Sequence, residues 1–472
     1  MKSKGIALIY NFSYSITSNL TATLISVLVI LVIPKLIGIE EYGYWQLYLF
    51  YTSYVGFLHF GWNDGIYLRY GGQEYKELNK KLFFSQFWML FILQTVLGVA
   101  IVLFTYLFVQ DENKLFLFVM TAICMLIINM RFMLVYILQG TNRIKEYSQI
   151  ALSDRILYIL FIVILIILGY RNYQLMIIAD IVGKFLSLVL AAYYCRDIVF
   201  HKISSFYFSI GEALENIKAG IKLMFATISS NLIIGIIRFG IERVWGVSTF
   251  GKVSFTLSVS NLLMTFINAI SLVLFPLLRR TPDERLPYIY NIMKVMLMIP
   301  TLGLLVLYYP FKIILSAWLP QYEESLVYMA LVFPICIYSG KMSLLINTYL
   351  KTLRKERVIL WVNVISVVLS ALFTAIFTVA WKNLMFSIIS IVILMAFRCI
   401  LAEMILARIL NISVLTDIVV ELFMTIAFII TGSLSGAWLG SLIYLIIYIV
   451  YLIIMKKDIF SVYNNVKILL KS

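Results

Sequence analysis

The chain has 472 residues, of which 62% are hydrophobic and only 13% are charged. Globular proteins are about half apolar and about a quarter charged, so a soluble fold could not bury this much apolar surface. The charges are also unequal, with 38 Lys and Arg against 23 Asp and Glu and a net charge of +15. In a membrane protein such an excess is typical of cytoplasmic loops. The composition therefore predicts an all-α polytopic membrane protein with no nucleic-acid partner.

Apolar segments follow one another along the whole chain. A membrane-spanning helix needs about 20 residues, and one span with its loop takes roughly 34, which predicts about fourteen spans. The first follows a Met-Lys-Ser-Lys start without a signal-peptide cleavage site, so we expect it to be retained. Stretch 159–169 is apolar on every side, unlike a barrel strand. The predicted spans lie near 8–33, 43–64, 83–109, 115–138, 148–169, 174–195, 217–239, 252–277, 288–309, 325–349, 357–380, 384–408, 414–434 and 438–455.

The charges of the loops predict how these spans are oriented in the membrane. With the N-terminus placed inside, 22 of the basic residues fall in inner segments and 7 in outer loops. Because cytoplasmic loops collect Lys and Arg, this bias predicts that both termini are cytoplasmic. No loop has room for a catalytic domain, and neither a phosphate-binding loop nor a Gly-rich nucleotide motif is present. The sequence thus indicates a protein that is not an enzyme and needs no cofactor.

Cysteine and histidine are scarce. The four cysteines form no C-x-x-C pair and lie in or beside apolar stretches, which predicts buried, inert thiols. Two histidines are too few for a histidine metal site, so no metal is expected.

A repeated motif predicts the domain organisation. Residues 38–43 read Gly-Ile-Glu-Glu-Tyr-Gly and residues 246–251 read Gly-Val-Ser-Thr-Phe-Gly, with Ser-Asn-Leu upstream of each at 18–20 and 230–232. The two copies are 208 residues apart, which equals six spans, so both have the same orientation. We expect two six-helix lobes related by a pseudo-two-fold axis along the membrane normal. The lobes would be 1–200 (spans 1–6) and 201–410 (spans 7–12), with an extra helix pair and cytoplasmic tail at 411–472.

Basic residues inside the spans are the functional signal, because a charge in the bilayer normally faces a cavity or a partner. A set of five lies mostly away from the span ends and has no obvious local acidic partner. A cationic cavity between the lobes would bind phosphate or pyrophosphate, which Arg holds in bidentate fashion. The predicted substrate-binding residues are Arg131, Lys222, Arg238, Lys341 and Arg398. The alternative for each is a structural role within its lobe.

Other charges have simpler interpretations. Lys184 follows Asp180 by four residues, which favours an ion pair on one helix face, and a site role is equally open. Lys218 and Lys294 lie near the inner boundary and are expected to extend to the headgroups. Asp417 and Glu421 are expected to form an interfacial acidic face. The predicted supporting or coupling residues are Asp64, Arg155, Asp180, Lys184 and Glu242.

Two stretches carry a family resemblance. Residues 36–43, Leu-Ile-Gly-Ile-Glu-Glu-Tyr-Gly, and 60–72, Phe-Gly-Trp-Asn-Asp-Gly-Ile-Tyr-Leu-Arg-Tyr-Gly-Gly, resemble the opening spans of bacterial O-antigen and capsule repeat-unit flippases. These belong to the multidrug/oligosaccharidyl-lipid/polysaccharide exporter superfamily. Ile237-Arg238-Phe239 is similar to an Asp-Arg-Phe of that family, and Glu242 would replace the missing acid.

The resemblance implies a function. Such flippases move undecaprenyl-pyrophosphate-linked oligosaccharides from the inner to the outer leaflet of the cytoplasmic membrane by alternating access. The implied partners are this lipid-linked substrate, membrane lipids and other polysaccharide assembly proteins. Within the superfamily, a peptidoglycan-precursor flippase and a multidrug and toxin exporter are alternatives. From another class, a membrane glycosyltransferase or polymerase acting on lipid-linked sugars is a further alternative, although the outer loops lack its expected catalytic cluster.

Overall fold

The computed structural model describes residues 24–279, 283–433, 437–457 and 459–460. Three sequence-based predictions lie at least partly outside these residues. They concern the first part of the first span (8–23), the Ser-Asn-Leu copy at 18–20 and the end of the cytoplasmic tail (461–472).

Helices make up nearly all of the described chain, and these parts contain no strand. In chain order the helices are α1 Leu24–Leu36, α2 Ile39–Val55, α3 Trp62–Tyr70, α4 Lys80–Phe108, α5 Glu112–Gly140, α6 Ile144–Ile167, α7 Tyr173–Tyr194, α8 Arg196–Val199, α9 Ile210–Arg279, α10 Leu286–Leu304, α11 Tyr308–Trp318, α12 Glu323–Val332, α13 Ile335–Gly340, α14 Asn347–Thr352, α15 Glu356–Phe373, α16 Leu384–Leu410, α17 Leu415–Ser433 and α18 Ala437–Ile454. Two π-helical segments, Lys341–Ile346 and Thr374–Ala380, lie between α13 and α14 and after α15.

Polar residues at the ends of the apolar runs start several of these helices. Asn79 accepts a hydrogen bond from the backbone of Leu82 at the start of α4, and Asn383 does the same for α16. Asp111 accepts from two backbone N–H groups at the start of α5. Such N-caps satisfy donors that would otherwise lack partners in the first turn.

The all-α polytopic membrane fold is confirmed. Nine helical segments in the described ranges are long and apolar enough to cross a membrane, and a bent pair, Pro320–Val332 with Ile335–Thr352, would make a tenth. One of the nine, Ile210–Leu262, has 53 residues. At about 1.5 Å per residue it is long enough to cross about 30 Å of hydrocarbon twice. The total of fourteen spans stays a prediction.

The chain forms two compact units, Met1–Ile228 and Ser229–Ser472. Each has its own apolar core. The core of the first unit includes Phe87, Met133 and Ala191, all buried. The core of the second unit combines residues of α9, α10, α12 to α17 and the π-helical segment between α13 and α14. Residues 210–228 of helix α9 belong to the first unit, and the remainder of the helix belongs to the second.

The second predicted span, near 43–64, differs from the structure. Helix α2 ends at Val55, and α3 begins at Trp62 after Phe60 and Gly61, whose φ angles are 55° and 85°. Two successive residues with positive φ cannot continue a right-handed helix. The apolar run continues through this break, which is why hydropathy alone predicted one helix.

Helix α3 packs closely on the start of α9 within the first unit. A Cβ atom built on Gly65 would lie 1.8 Å from the backbone oxygen of Asn216, and one on Gly220 would lie 2.0 Å from the oxygen of Gly61. Only glycine permits this approach of two backbones. Arg69 then joins the same two helices by hydrogen bonds to Glu212 (2.5 Å) and to the Asn216 side chain (2.6 Å).

Both copies of the repeated motif lie at helix junctions. Gly38 has an extended ψ of 160° and precedes α2. Gly246, with φ of 80°, is the non-helical residue inside α9. The loop predicted at 246–251 is thus reduced to a kink.

The predicted tenth span, 325–349, is broken. Helices α12 and α13 are separated at Phe333 and Pro334, and the segments on either side meet at 47°. Proline lacks the N–H that would continue the helical hydrogen-bond pattern. The π-helical turn Lys341–Ile346 follows within the second part.

All four cysteines are free and buried, as the sequence predicted: Cys124, Cys195, Cys336 and Cys399.

Candidate functional site

Arg131, on α5, lies in a polar network of the first unit. Its Nη1 is 2.7 Å from an oxygen of Asp154 on α6 and donates to Ser187 of α7 at 3.3 Å. Ser187 in turn donates to the Ile150 carbonyl. Arg131 therefore has an acidic partner from another helix, which sequence spacing did not reveal. Its positive charge is balanced within the unit.

The predicted Asp180–Lys184 ion pair is confirmed on α7, with Lys184 Nζ donating to Asp180 Oδ1. Tyr48 of α2 donates its hydroxyl to the other oxygen of Asp180 at 2.7 Å. Tyr48 is also fully buried, so in this structure its ring is not available to a ligand. Together with Arg131 and Asp154, these residues make a neutral set of two acids and two bases.

The most deeply buried charges belong to the second unit. Lys341 Nζ lies 2.6 Å from Glu403 Oε2 on α16 and 2.5 Å from Glu421 Oε1 on α17. The side chains of Lys341 and Glu403 have no exposed surface. Tyr290 of α10 donates its hydroxyl to the other oxygen of Glu403 at 2.9 Å. We call Lys341, Glu403 and Glu421 the carboxylate–lysine triad.

Two expectations about the inner ends of these helices are wrong. Lys294 does not extend to the headgroups, because it is buried and donates to Asp417. Glu421 is not part of an interfacial acidic face, because it is buried against Lys341. In both cases a charge from another helix in the unit provides a better partner than water at the interface.

Arg398, on α16, has a different environment. It is 6% exposed, and its Nε donates to Asn363 Oδ1 of α15 at 2.8 Å. Within the described ranges no carboxylate lies within 4 Å of its guanidinium. A cation at such a position costs at least about 2.5 kcal/mol, so it normally has an anionic partner or faces water.

Asn363, the partner of Arg398, belongs to a stripe of small, buried polar residues along α15 and the π-helical segment that follows it. This stripe has helical spacing and consists of Asn363, Ser366, Ser370, Thr374 and Thr378. Ser370 donates to the Ile233 carbonyl of α9, which joins α15 to the helix of Arg238. Small residues let membrane helices pack closely and hydrogen-bond across the contact.

Arg238, on α9, is half-buried. Its Nη2 donates to Ser254 at 2.9 Å, and its guanidinium lies 5.0 Å from the centre of the Phe250 ring. Glu242, which was predicted to replace the family's acid beside Arg238, is 3.4 Å from Arg243. Arg238 and Arg398 lie on helices that share the core of the second unit.

The remaining predicted residues are more peripheral. Lys222 is exposed, and in the described part of the chain it has no ion pair. Arg155 is exposed and donates to Ser26 at 3.1 Å. Asp64 lies 3.7 Å from the buried His59 at the break between α2 and α3.

Sequence reasoning missed Glu403, Asn363 and Tyr290. Glu403 was detectable, because it is an acid inside the apolar helix Leu384–Leu410, two turns before its end. Asn363 and Tyr290 gave no comparable signal, since polar and aromatic residues occur throughout the spans.

A second polar cluster lies at helix ends of the first unit and the loop before α4. Tyr75 donates to Asp197 at 2.6 Å, and Lys80 lies 3.3 Å from the same carboxylate. Burial raises the pKa of Asp197, but the Tyr75 hydrogen bond and the Lys80 charge outweigh it and lower the pKa below 3.8. The guanidinium of Arg143 lies 4.6 Å from the Tyr75 ring. This cluster joins these helix ends and contains no unbalanced buried charge.

No protein-family model matches the sequence, and neither does any curated protein sequence. Solved structures do match. A structure of the lipid II flippase MurJ, in an inward closed conformation, aligns with 96% of this chain and 100% of its own at 13% identity, with a TM-score of 0.62. An inward-facing multidrug resistance MATE transporter of the MOP superfamily aligns with 82% of this chain and 96% of its own at 13% identity, with a TM-score of 0.59.

A third match has the printed description of a MOP superfamily transporter from Pyrococcus furiosus whose reversed binding-pocket polarity suggests a different function. It aligns with 86% of this chain and 94% of its own at 12% identity, with a TM-score of 0.51. At these identities the likeness concerns the fold. The chain therefore has the fold of MOP-superfamily transporters, which include flippases and exporters.

Proposed function

We propose that this protein flips undecaprenyl-pyrophosphate-linked oligosaccharide repeat units from the inner to the outer leaflet of a bacterial cytoplasmic membrane by alternating access. The transporter fold supports movement of a substrate, and the similar MurJ structure is that of a protein that flips a lipid-linked precursor. Both termini would be cytoplasmic. The observation that carries the proposal is Arg398, a buried cation whose described partner is a neutral amide.

Arg398 is suited to a phosphate ligand for a geometric reason. Asn363 occupies its Nε, so the two Nη groups can donate to the oxygens of one phosphate. Binding an anion there would also offset the cost of the buried positive charge. A cationic drug would meet repulsion at the same position, which disfavours the multidrug-exporter alternative.

The five predicted bases are not equivalent. Arg131 and Lys341 are already neutralised by carboxylates in their own units, so we expect them to attract an anionic ligand weakly. Arg238 is held by a hydroxyl and an aromatic ring, and Lys222 is exposed. We therefore assign the main pyrophosphate contact to Arg398, with Arg238 of the same unit as a second contact. A binding role for Lys222, which belongs to the first unit, stays a prediction.

The test is a flipping assay in proteoliposomes with fluorescent lipid-linked pyrophosphate oligosaccharide. Arg398→Gln should lower the initial rate at least about 10-fold, because a hydrogen bond to a charged group is worth about 1.5–3 kcal/mol. Arg398→Lys should recover part of this loss by restoring the charge. Arg408→Gln is the matched control, because Arg408 is an exposed arginine on the same helix.

The outcomes separate the alternatives. Equal rates for the wild type, Arg398→Gln and Arg408→Gln, at equal protein levels, would contradict the pyrophosphate contact. If the protein flips lipid II and does not flip oligosaccharide pyrophosphates, the peptidoglycan-precursor alternative replaces the proposal. Transport of a lipophilic cation, with no flipping, would favour the exporter.

A further inference from the structure

The carboxylate–lysine triad has an unequal charge. It brings two carboxyl groups to one ammonium group, at 2.6 and 2.5 Å, and in the described part of the chain no second Lys or Arg lies within 4 Å of either carboxyl group. Fully ionised, the triad would have a net charge of −1 in the interior of the second unit. An isolated buried charge costs several kcal/mol and is normally removed by protonation or by a partner.

The surrounding groups do not supply the missing positive charge. Asp417, one turn before Glu421, is already engaged by Lys294. Cys399 and Tyr290 face the triad from α16 and α10, Tyr338 faces it from α13, and Tyr451 faces it from α18. Arg398 and Arg408 lie at equal distances in sequence on either side of Glu403 on α16; Arg398 is bound to Asn363, and Arg408 is exposed. The thiol and the phenols are neutral, so none compensates the second carboxylate.

The two carboxyl groups differ in their hydrogen bonds and exposure, and this difference indicates which of them binds a proton. Glu403 accepts two hydrogen bonds, one from Lys341 and one from Tyr290. Glu421 accepts from Lys341 alone and retains 6% of its side-chain surface, whereas Glu403 retains none. Hydrogen bonds to a carboxylate stabilise its charged form. Glu403 is therefore the stable anion, and Glu421 is the group that can take up and release a proton.

The backbone at the triad is suited to a change of shape. Lys341 is the first residue of the π-helical segment Lys341–Ile346, which lies in the broken helix after Pro334. Single π-turns inside helices are frequently found at functional sites. Protonating Glu421 would weaken its bond to Lys341 and leave the Lys341–Glu403 pair intact. The contact between the broken helix and α17 would then respond to the proton.

We propose that Glu421, within the carboxylate–lysine triad, is an exchangeable proton-binding site that couples the second unit to the proton gradient. Uptake of one proton converts the Glu421 carboxylate to a carboxylic acid and changes the triad from −1 to neutral. Release restores the second bond to Lys341. The coupling, but not the proton binding, rests on the proposed function.

Infrared difference spectroscopy of the purified full-length protein tests the proton binding without any substrate. The wild type should show the C=O stretch of one buried protonated carboxyl group that disappears as the pH is raised. Glu421→Gln should abolish this signal, because a neutral Lys341–Glu403 pair remains. Lys341→Gln should double it, because two carboxyl groups then lack a base.

Glu356→Gln is the matched control, since Glu356 is exposed in the first turn of α15, and its signal should equal that of the wild type. An unchanged band in Glu421→Gln, or the absence of such a band in the wild type, would overturn the site. A band that responds to added sodium chloride at constant pH, and not to pH, would also overturn it in favour of a sodium ion.

The coupling is tested in the proteoliposome assay by imposing a pH gradient. The ratio of flipping rates with and without the gradient should exceed one for the wild type and fall to one for Glu421→Gln. A ratio that stays at the wild-type value in Glu421→Gln would refute the coupling. Absence of flipping in the wild type, with the infrared result as expected, would count against the proposed function and leave the proton site standing.

Discussion

Replacing Gly65 by alanine adds one methyl group where α3 crosses the start of α9. That Cβ would lie 1.8 Å from the backbone oxygen of Asn216, whereas real contacts of this kind are not shorter than 3.0 Å. The two backbones must therefore separate by at least 1.2 Å, the difference between those distances. A backbone oxygen cannot rotate away as a side chain can, so the change is a strong case of overpacking.

The cost follows from two opposing terms. Overpacking costs about 1–3 kcal/mol, and the upper value applies where backbone must move. Alanine in place of a helical glycine returns about 1 kcal/mol. The free energy of unfolding of the first unit should thus fall by about 2 kcal/mol. The separation would also lengthen the bonds from Arg69 to Glu212 and Asn216.

The assay is thermal unfolding of the detergent-solubilised protein followed by tryptophan fluorescence. Gly211→Ala is the matched control, because Gly211 lies on α9, the helix that α3 crosses, with no heavy atom within 4 Å of its added Cβ. It should melt at or slightly above the wild-type temperature, and Gly65→Ala several degrees below. If Gly65→Ala melts at the same temperature as Gly211→Ala, the close crossing of α3 and α9 is refuted.

Two further predictions concern single ion pairs. Asp154→Asn should lower the free energy of unfolding by up to about 3 kcal/mol more than the double change Arg131→Met with Asp154→Asn, and so melt at a lower temperature. The reason is that the single change leaves Arg131 as an uncompensated buried cation. The opposite order of melting temperatures would contradict the pairing. Because the pKa of Asp197 is lowered in the folded protein, its stabilising contribution is present above about pH 4 and lost as the pH falls below it. The melting temperature of Asp197→Asn should accordingly decline less than that of the wild type between pH 5 and pH 3, and parallel curves would show that Asp197 contributes nothing.

The sequence predicted those features that depend on residues close together in the chain. The apolar runs identified the all-helical membrane fold. The four-residue spacing identified the Asp180–Lys184 pair, because a helix places such residues on one face. The helix junction at Gly38 and the kink at Gly246 also lie where the repeated motif indicated an interruption. The breaks at Gly61 and Pro334 were missed because hydropathy does not record backbone angles.

Partners from distant helices could not be predicted in this way. Arg131 and Asp154 are on different helices, and Lys341 is 62 residues from Glu403 and 80 from Glu421. Which helix faces which depends on packing of the whole unit, and apolar helices of similar composition give no preference for one partner. The five bases therefore looked alike in sequence, and packing separates the paired Arg131 and Lys341 from Arg398.

The burial of every native thiol has a practical consequence for topology mapping. Cys124, Cys195, Cys336 and Cys399 are all buried, so a membrane-impermeant maleimide should leave the wild-type protein almost unlabelled in intact cells. A single cysteine introduced at a junction, such as Asn142, Gly169, Arg354 or Lys382, would then report its own side of the membrane without prior removal of the native ones. Labelling at Gly169 and Lys382 from outside, with none at Asn142 and Arg354, would establish the sidedness of four junctions independently of any count of spans.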